Sequence, residues 1–352
     1  MDFTIKEHKH FNKKSYNYFV LGTDVGGTNT SFGIFGVKKK IPELLLSFHF
    51  KTKKILKLHY AVNEVLDYNK KKYAIEITKA CFGVAGVMFA HRSRAKITNG
   101  ELIVEKKTLL KNTKLRKIMI INDFEAIGYG INLFYKKDIE IIKSGSKVIK
   151  APIVVVGAGT GLGKTTLIYD ENSGFYIPMP SEAGHTDFPA QGQNELELAN
   201  FIKKFRKIKG PVSYEDVLSG QGLENIYFFL KKTKKFRKTK YMQEIDKAIG
   251  KPELISKYKN ADRICKKTFE TFKIIYARFA KNFALDAVAW GGVYISGGIA
   301  AKNKEIFDEE FIKIFESSNK MGSVLKKIPV YLISHHHNPG LLGAGFAAAK
   351  FL

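Results

Sequence analysis

Apolar and polar positions along the chain follow two periods, one near two residues and one near three and a half. The apolar run at 19–25 ends in a Gly-Gly turn, and a second follows at 31–37, the pattern of a β-hairpin. Residues 44–50 offer a third strand, and Leu58, Val62, Val65 and Leu66 then recur at helical spacing. The runs at 80–87 and 118–122 suit buried strands, the second leading into a helix from Phe124. A strand at 152–156, a glycine-rich turn and a strand at 165–169 repeat the hairpin theme. Phe269, Phe272, Ile275, Phe279 and Phe283 step by three or four and mark one long amphipathic helix. Strands follow at 292–296 and 329–333, each leading through a glycine-containing turn to a helix, the last reading LLGAGFAAAKFL. Residues 1–17 have no clear period and read as an extension or a peripheral strand, and 136–150 reads as a lysine-spotted linker.

The organisation is α/β throughout, and strand–glycine turn–strand occurs twice, at 19–37 and 152–169, as if two halves faced a common ligand. A chain of 352 residues is long enough for two domains, and 45% hydrophobic residues exclude overall disorder. No run approaches the roughly 18 apolar residues of a membrane span, and the N-terminus lacks the apolar core of a secretory signal. Cys81 and Cys265 are too few for a disulfide framework or a cysteine-based zinc site, so a reducing cytoplasm is expected. The 59 Lys+Arg against 33 Asp+Glu give a net charge of +26, but the excess is nearly all lysine scattered in short runs. That pattern reads as a solvated surface, and no nucleic-acid partner is expected from it.

TDVGGTNT (23–30) puts an acid before a Gly-Gly-Thr turn between two strands. It suits a phosphate turn, whose glycines let backbone N–H groups converge on an anion, and equally suits an ordinary tight hairpin. VVVGAGTGLGKTTL satisfies a loose Walker A pattern, but Thr165–Thr166–Leu167–Ile168–Tyr169 reads as a strand where a P-loop requires a helix. It is better taken as a second hairpin turn on nucleotide phosphates. IMIIND delivers Asn122 and Asp123 at a strand's end, where the acid is either a helix N-cap or, beside a sugar hydroxyl, a general base; alone, the cap is the simpler role. Glu182 and His185 lie in a loop whose prolines and glycine oppose a metal-binding helix, and the tract at 335–337 reads as a polar turn before Asn338-Pro339-Gly340.

In order, LGTDVGGTNT, IINDFEA, GAGTGLG, PSEAGHTDF, VSYEDVLSGQGLENIY, GGVYISGGIA and NPGLLGAG resemble the bacterial-type ATP-dependent glucokinases, from about residue 19 to the C-terminus. That family belongs to the superfamily of sugar kinases, actin and heat-shock ATPases. The resemblance implies a two-lobed actin-like ATPase (ribonuclease H-like) α/β fold, each lobe a mixed sheet with flanking helices. A small domain would comprise 1–134 plus 338–352, and a large one 135–337. It implies phosphorylation of D-glucose to glucose 6-phosphate with Mg-ATP by in-line transfer. Asp24, Gly26, Gly27 and Thr28 would form the first phosphate turn, with Asp24 acting on Mg²⁺ through water. Asp123 would be the catalytic base. Asn122, Glu182, His185, Glu215 and Asn99 would join it in binding glucose. Thr160, Gly161 and Gly163 would form the second phosphate turn, with Gly297 and Gly298 near the adenosine. A homodimer is also implied.

Three features depart from the family pattern: Ala183 stands where a second glycine is usual, the loop after Asn99 lacks an aromatic, and the net charge is unusually positive. Two alternatives remain at this level. One is a kinase of another hexose or an amino sugar on the same fold. The other is a non-catalytic sugar-sensing or nucleic-acid-binding protein, against which the intact Asp24, Asp123 and glycine turns argue.

Overall fold

The computed structural model describes residues 2–98, 100–234, 236–334 and 338–352; Asn99 and the histidine tract at 335–337 lie outside the described residues. Two compact units divide the chain, one made of Met1–Asp138, Leu167–Pro180 and His335–Leu352, the other of Ile139–Thr166 and Ser181–Ser334.

The first unit opens with strands β1 (Phe3–Glu7), β2 (Tyr18–Val25), β3 (Asn29–Lys38) and β4 (Ile41–Lys51), then helix α1 (Leu58–Tyr73) and β5 (Lys79–Val84). Short strands β6 (Gly86–Met88), β7 (Arg94–Ile97) and β8 (Ile103–Glu105) precede α2 (Lys106–Asn112), β9 (Lys117–Asn122) and α3 (Asp123–Gly130). The main sheet runs β1-β4-β3-β2-β5-β9. Its first four strands are antiparallel, whereas β2, β5 and β9 are mutually parallel. The unpatterned N-terminus thus supplies an edge strand, mostly solvent-facing as its polar residues require. The apolar run at 80–87 is not one strand. It stops at Val84, and Ala85 donates its N–H to Val25 and accepts one from Thr98, turning the chain into the separate β6-β7-β8 sheet. On one face of the main sheet, Ala61, Val62 and Val65 of α1 bury Phe32, Phe48 and Phe82.

The second unit contains β10 (Ile139–Lys143), β11 (Ile153–Ala158) and the start of β12 (Leu162–Asp170); residues 167–180, with β13 (Phe175–Met179), belong to the first unit. There follow α4 (Gly192–Phe205), α5 (Gly220–Thr233), α6 (Lys240–Lys247), α7 (Lys251–Lys257), α8 (Arg263–Asp286), β14 (Gly292–Ser296), α9 (Gly298–Lys302), α10 (Glu309–Glu316), α11 (Gly322–Lys327) and β15 (Val330–Ile333). Strand β14 lies between parallel neighbours β11 and β15 and is buried along its whole length, as an internal parallel strand should be. The long helix α8 is capped by Asp262, which accepts the N–H groups of Ile264 and Cys265, and it buries Phe272, Ile275, Tyr276 and Phe279. The segment read as a linker at 136–150 instead contains β10, antiparallel to β15. The lysine that disguised it, Lys143, is buried and donates to the carbonyls of Lys326 and Ile328 at 2.7 and 3.0 Å.

The chain returns to the first unit in α12 (Pro339–Phe351), which covers the sheet face opposite α1 and packs against α3. Its glycines set how closely it docks. A Cβ at Gly345 would meet the Phe35 ring at 2.4 Å, and one at Gly343 would meet the Gly130 nitrogen at 2.6 Å. Directly after α3, Asn132 brackets Tyr176 of β13, accepting its N–H at 2.8 Å and donating to its carbonyl at 2.9 Å.

Candidate active site

In the first unit, the carboxyl ends of the parallel strands β2, β5 and β9 form a row. Asp24 is in register with Gly83, Gly83 with Ile121, and Val84 with Asn122. Two strand spacings, about 10 Å, separate the Asp24 backbone from that of Ile121. Carboxyl ends of parallel strands are where α/β sheets hold ligands. Asp24 is partly buried there, and its Oδ2 accepts a 2.6 Å hydrogen bond from Asn338 Nδ2, while Asn338 Oδ1 caps α12 by accepting the Leu341 N–H. Burial pushes the Asp24 carboxyl above its ordinary range, opposed by the Asn338 hydrogen bond.

The turn after Asp24 is closed by the Gly26 N–H donating to the Asn29 carbonyl at 3.0 Å. Buried Thr52, in the 3₁₀ turn after β4, braces it. Its hydroxyl donates to the Gly26 carbonyl at 2.7 Å and its N–H to the Thr28 carbonyl at 3.0 Å. Its hydroxyl also lies 2.9 Å from that of Thr30.

The N-cap role that the sequence offered to Asp123 falls instead to its neighbour Asn122. Asn122 is the N-cap of α3, accepting the Phe124 N–H at 2.8 Å, and Glu125 completes a capping box by accepting the Asn122 N–H at 3.1 Å. Asp123 is the first helical residue, partly exposed, with Oδ1 accepting the Phe124 N–H at 3.0 Å. Glu125 is 4% exposed and its charge is met by Arg92 at 2.8 Å. Arg92 and the preceding His91 both have positive φ, 51° and 59°, a conformation costly for residues with a side chain.

In the second unit, the turn between β11 and β12 is closed by the Gly159 N–H on the Gly161 carbonyl at 2.8 Å and tied to α5 by the Gly220 N–H on the Gly159 carbonyl at 2.8 Å. Thr160 and Gly161 lie in this turn, and Gly163 follows in β12. Glu215 Oε2 accepts the Leu162 N–H at 2.7 Å, and a Cβ on Gly161 would stand 2.6 Å from the same oxygen. The Glu215 N–H in turn donates to the Gly184 carbonyl at 2.8 Å, inside the 3₁₀ turn that carries Glu182 and His185. Those two side chains are exposed and 3.8 Å apart. Gly184 packs so tightly on Leu162 that no Cβ fits, whereas Ala183 sits in an ordinary buried position. Gly297, with φ +94°, lies against the Ala158 backbone, and the Gly298 nitrogen is 4.0 Å from where a Gly159 Cβ would be.

The family model described as Glucokinase matches residues 21–351. The chain belongs to the glucokinase family. It is 34% identical over 288 residues to a glucokinase of Trichormus variabilis, spanning 77% of this chain and 82% of that one. It is 32% identical over 345 residues to a glucokinase of Helicobacter pylori, covering 96% and 98% of the two chains. The crystal structure of a glucokinase from an Antarctic psychrotroph superposes with a TM-score of 0.75 at 23% identity over 94% of this chain and 98% of that one, sharing the mixed-sheet, actin-like fold.

Within this glucokinase-family chain, the family-motif residues gather into two clusters, one in each unit: Asp24 to Thr28 with Asn122 and Asp123, and Thr160 to Gly163 with Glu182, His185, Glu215, Gly297 and Gly298. The Walker-like Lys164 is on strand β12, buried, 3.5 Å from Asp286 and over the Phe283 ring, so no helix N-terminus follows it. Sequence reasoning missed Thr52, Arg92, Glu125 and Asn338 as site residues. Asn338 and Glu125 lay inside quoted motifs, and Glu125 at the third position after Asn122 is a legible capping-box signal. Thr52 and Arg92 carry no local signal. Among the described residues, no group of three or more His, Cys, Asp or Glu is placed to hold a metal ion by itself, and no helix is long and apolar enough to cross a membrane.

Proposed function

We propose that the chain transfers the γ-phosphoryl group of ATP to the 6-hydroxyl of D-glucose, with Asp123 as general base. The observation that carries this reading is the common placement of Asp24 and the Asn122–Asp123 pair at the carboxyl ends of the parallel strands β2 and β9, with β5 between them, in a chain of the glucokinase family. The capping box holds Asn122 by its Oδ1 and its N–H, leaving its Nδ2 to donate to a sugar oxygen. Asp123 would take the hydroxyl proton as general base, its carboxylate oriented by the Phe124 N–H on Oδ1. Glu182, His185 and Glu215, grouped within the second unit, are the further polar residues that the family motifs assign to the sugar, and the glycine turns at 26–28 and 160–163, one in each unit, carry backbone donors suited to phosphate oxygens. A single partly buried carboxylate, Asp24, with one oxygen held by Asn338, fits a Mg²⁺ that keeps its waters and takes its remaining ligands from the nucleotide. Bound there, the ion would supply charge neutralisation to the transferring phosphoryl group.

A coupled assay with purified protein, ATP and glucose tests the activity, and Asp123→Asn tests the base. Turnover should fall by about two to four decades, with glucose affinity nearly unchanged. Near-normal turnover in that variant removes Asp123 from the role, and no glucose-dependent ATP consumption by the parent protein removes the reading itself.

A further inference from the structure

Beside the turn at 26–29, one residue outside every quoted motif fixes the orientation of a peptide plane. Thr52 Oγ1 donates to the Gly26 carbonyl at 2.7 Å and is 2.9 Å from Thr30 Oγ1. Thr30 and Ser31 point to opposite faces of β3, and Ser31 is the cross-strand partner of Asp24, so Thr30 and Asp24 lie on opposite faces of the sheet. The Gly26 carbonyl is therefore drawn towards the Thr30 face. In a trans peptide the N–H of the next residue points the opposite way, and the bond is trans, as all described peptide bonds are. The Gly27 N–H is consequently turned to the Asp24 face. At the same time the Thr52 N–H holds the Thr28 carbonyl, so the two hydrogen bonds grip the turn on both sides of Gly27.

We infer that Thr52 is a positioning residue for nucleotide binding: by holding the Gly26 carbonyl it aims the Gly27 N–H at the phosphate chain on the Asp24 face. The inference rests on the proposed role of this turn in holding ATP. Thr52 is buried and touches no substrate itself. Its hydroxyl removes the freedom of a Gly-Gly peptide to flip, a freedom that glycine has more than any other residue.

The test compares Thr52→Val, which keeps the shape and the backbone N–H but loses the hydroxyl, with Thr52→Ser, which restores it, and Thr30→Val, which loses the hydroxyl–hydroxyl contact but keeps the Gly26 anchor. Each is measured for calorimetric affinity towards a non-hydrolysable ATP analogue with Mg²⁺, for KM of ATP and of glucose, and for Tm. Thr52→Val should weaken nucleotide binding by about tenfold, the scale of one lost hydrogen bond, with the KM of glucose within about twofold. Thr52→Ser should recover most of that loss. Thr30→Val should lower Tm without changing nucleotide affinity. Unchanged nucleotide affinity in Thr52→Val, or an equal loss in Thr30→Val, overturns the positioning role while leaving the kinase reading intact. Failure of the parent protein to bind the analogue overturns both.

Discussion

Replacing Gly343 by alanine should displace Asp123, the proposed general base, from a distance. Gly343 lies in α12 where it crosses α3, and a Cβ there would stand 1.6 Å from the Ala126 carbonyl oxygen and 2.6 Å from the Gly130 nitrogen. Ordinary contact begins near 3.4 Å, so the two helices must part by about 1.8 Å at that point. Both obstacles are backbone atoms, which cannot swing aside as a side chain would. Overpacking of this kind costs about 1–3 kcal/mol, against at most about 1 kcal/mol gained from alanine's better helix propensity, so a net loss of stability is expected. Asp123 is one helical turn before Ala126 and must move with α3. A misplacement near 1 Å at a reacting centre is worth on the order of 10²-fold in rate. Gly343→Ala should thus lower Tm and cut kcat by roughly two decades while the glycine turns of the second unit are untouched. The matched control for stability is Gly340→Ala in the same helix, whose Cβ would meet nothing closer than 3.4 Å and should fold normally; since that Cβ would lie 3.5 Å from the Asp24 carboxylate, the variant is compared in Tm alone. Thermal unfolding of both variants and a coupled turnover assay of Gly343→Ala decide the matter. Parent-like Tm and kcat in Gly343→Ala would refute the claim that this helix crossing sets the position of Asp123.

Two further outcomes follow from the first unit. Glu125→Gln keeps an acceptor for the Asn122 N–H and loses only a partner for Arg92, which is 42% exposed and can be solvated; it should cost well under the ~1–2 kcal/mol expected of Glu125→Ala, which also loses the cap. Equal urea midpoints for the two variants would count against the capping role. His49 is hydrogen-bonded to Ser31 and Ser47, and burial, helped by Lys6, lowers its pKa below the ordinary 6.5. The unfolded chain therefore takes up this proton first, so stability falls as pH drops below 6.5 and stops falling below the folded pKa. Between pH 8 and 5 the parent protein should lose more stability than His49→Gln, and parallel losses would contradict the shift.

What could be read from the letters alone was whatever a local pattern encodes. The hairpin of β2 and β3, the run into Asn122, the second glycine hairpin and the long helix α8 were all legible because each is a short apolar period closed by its own turn or cap. Strand β10 was not, since Ile139 to Lys143 lies among lysines and only its partner β15 and the two carbonyls on Lys143 justify the element. The break at Ala85 escaped for the same reason, because the bonds that stop β5 come from Val25 and Thr98. Helix α5 was legible in principle through Leu223, Ile226, Tyr227 and Leu230, but the motif spanning its start drew attention to chemistry instead of period. At the site, glycines and acids stood out by type. The hydroxyl of Thr52 and the guanidinium of Arg92 could not, as their use depends on a turn or helix distant in sequence.

The hydrogen bond between Asn338 and Asp24 joins residues 314 positions apart, and α12 then seals the face on which Asp24 lies. A ribosome delivers β2 long before it delivers that helix. Until then the growing polypeptide carries Phe35, Val20 and Ile121 on an uncovered sheet face. Such late closure over a long separation makes assembly slow and leaves nascent molecules sticky in the meantime, so the first unit should be the one that most needs chaperone protection during synthesis.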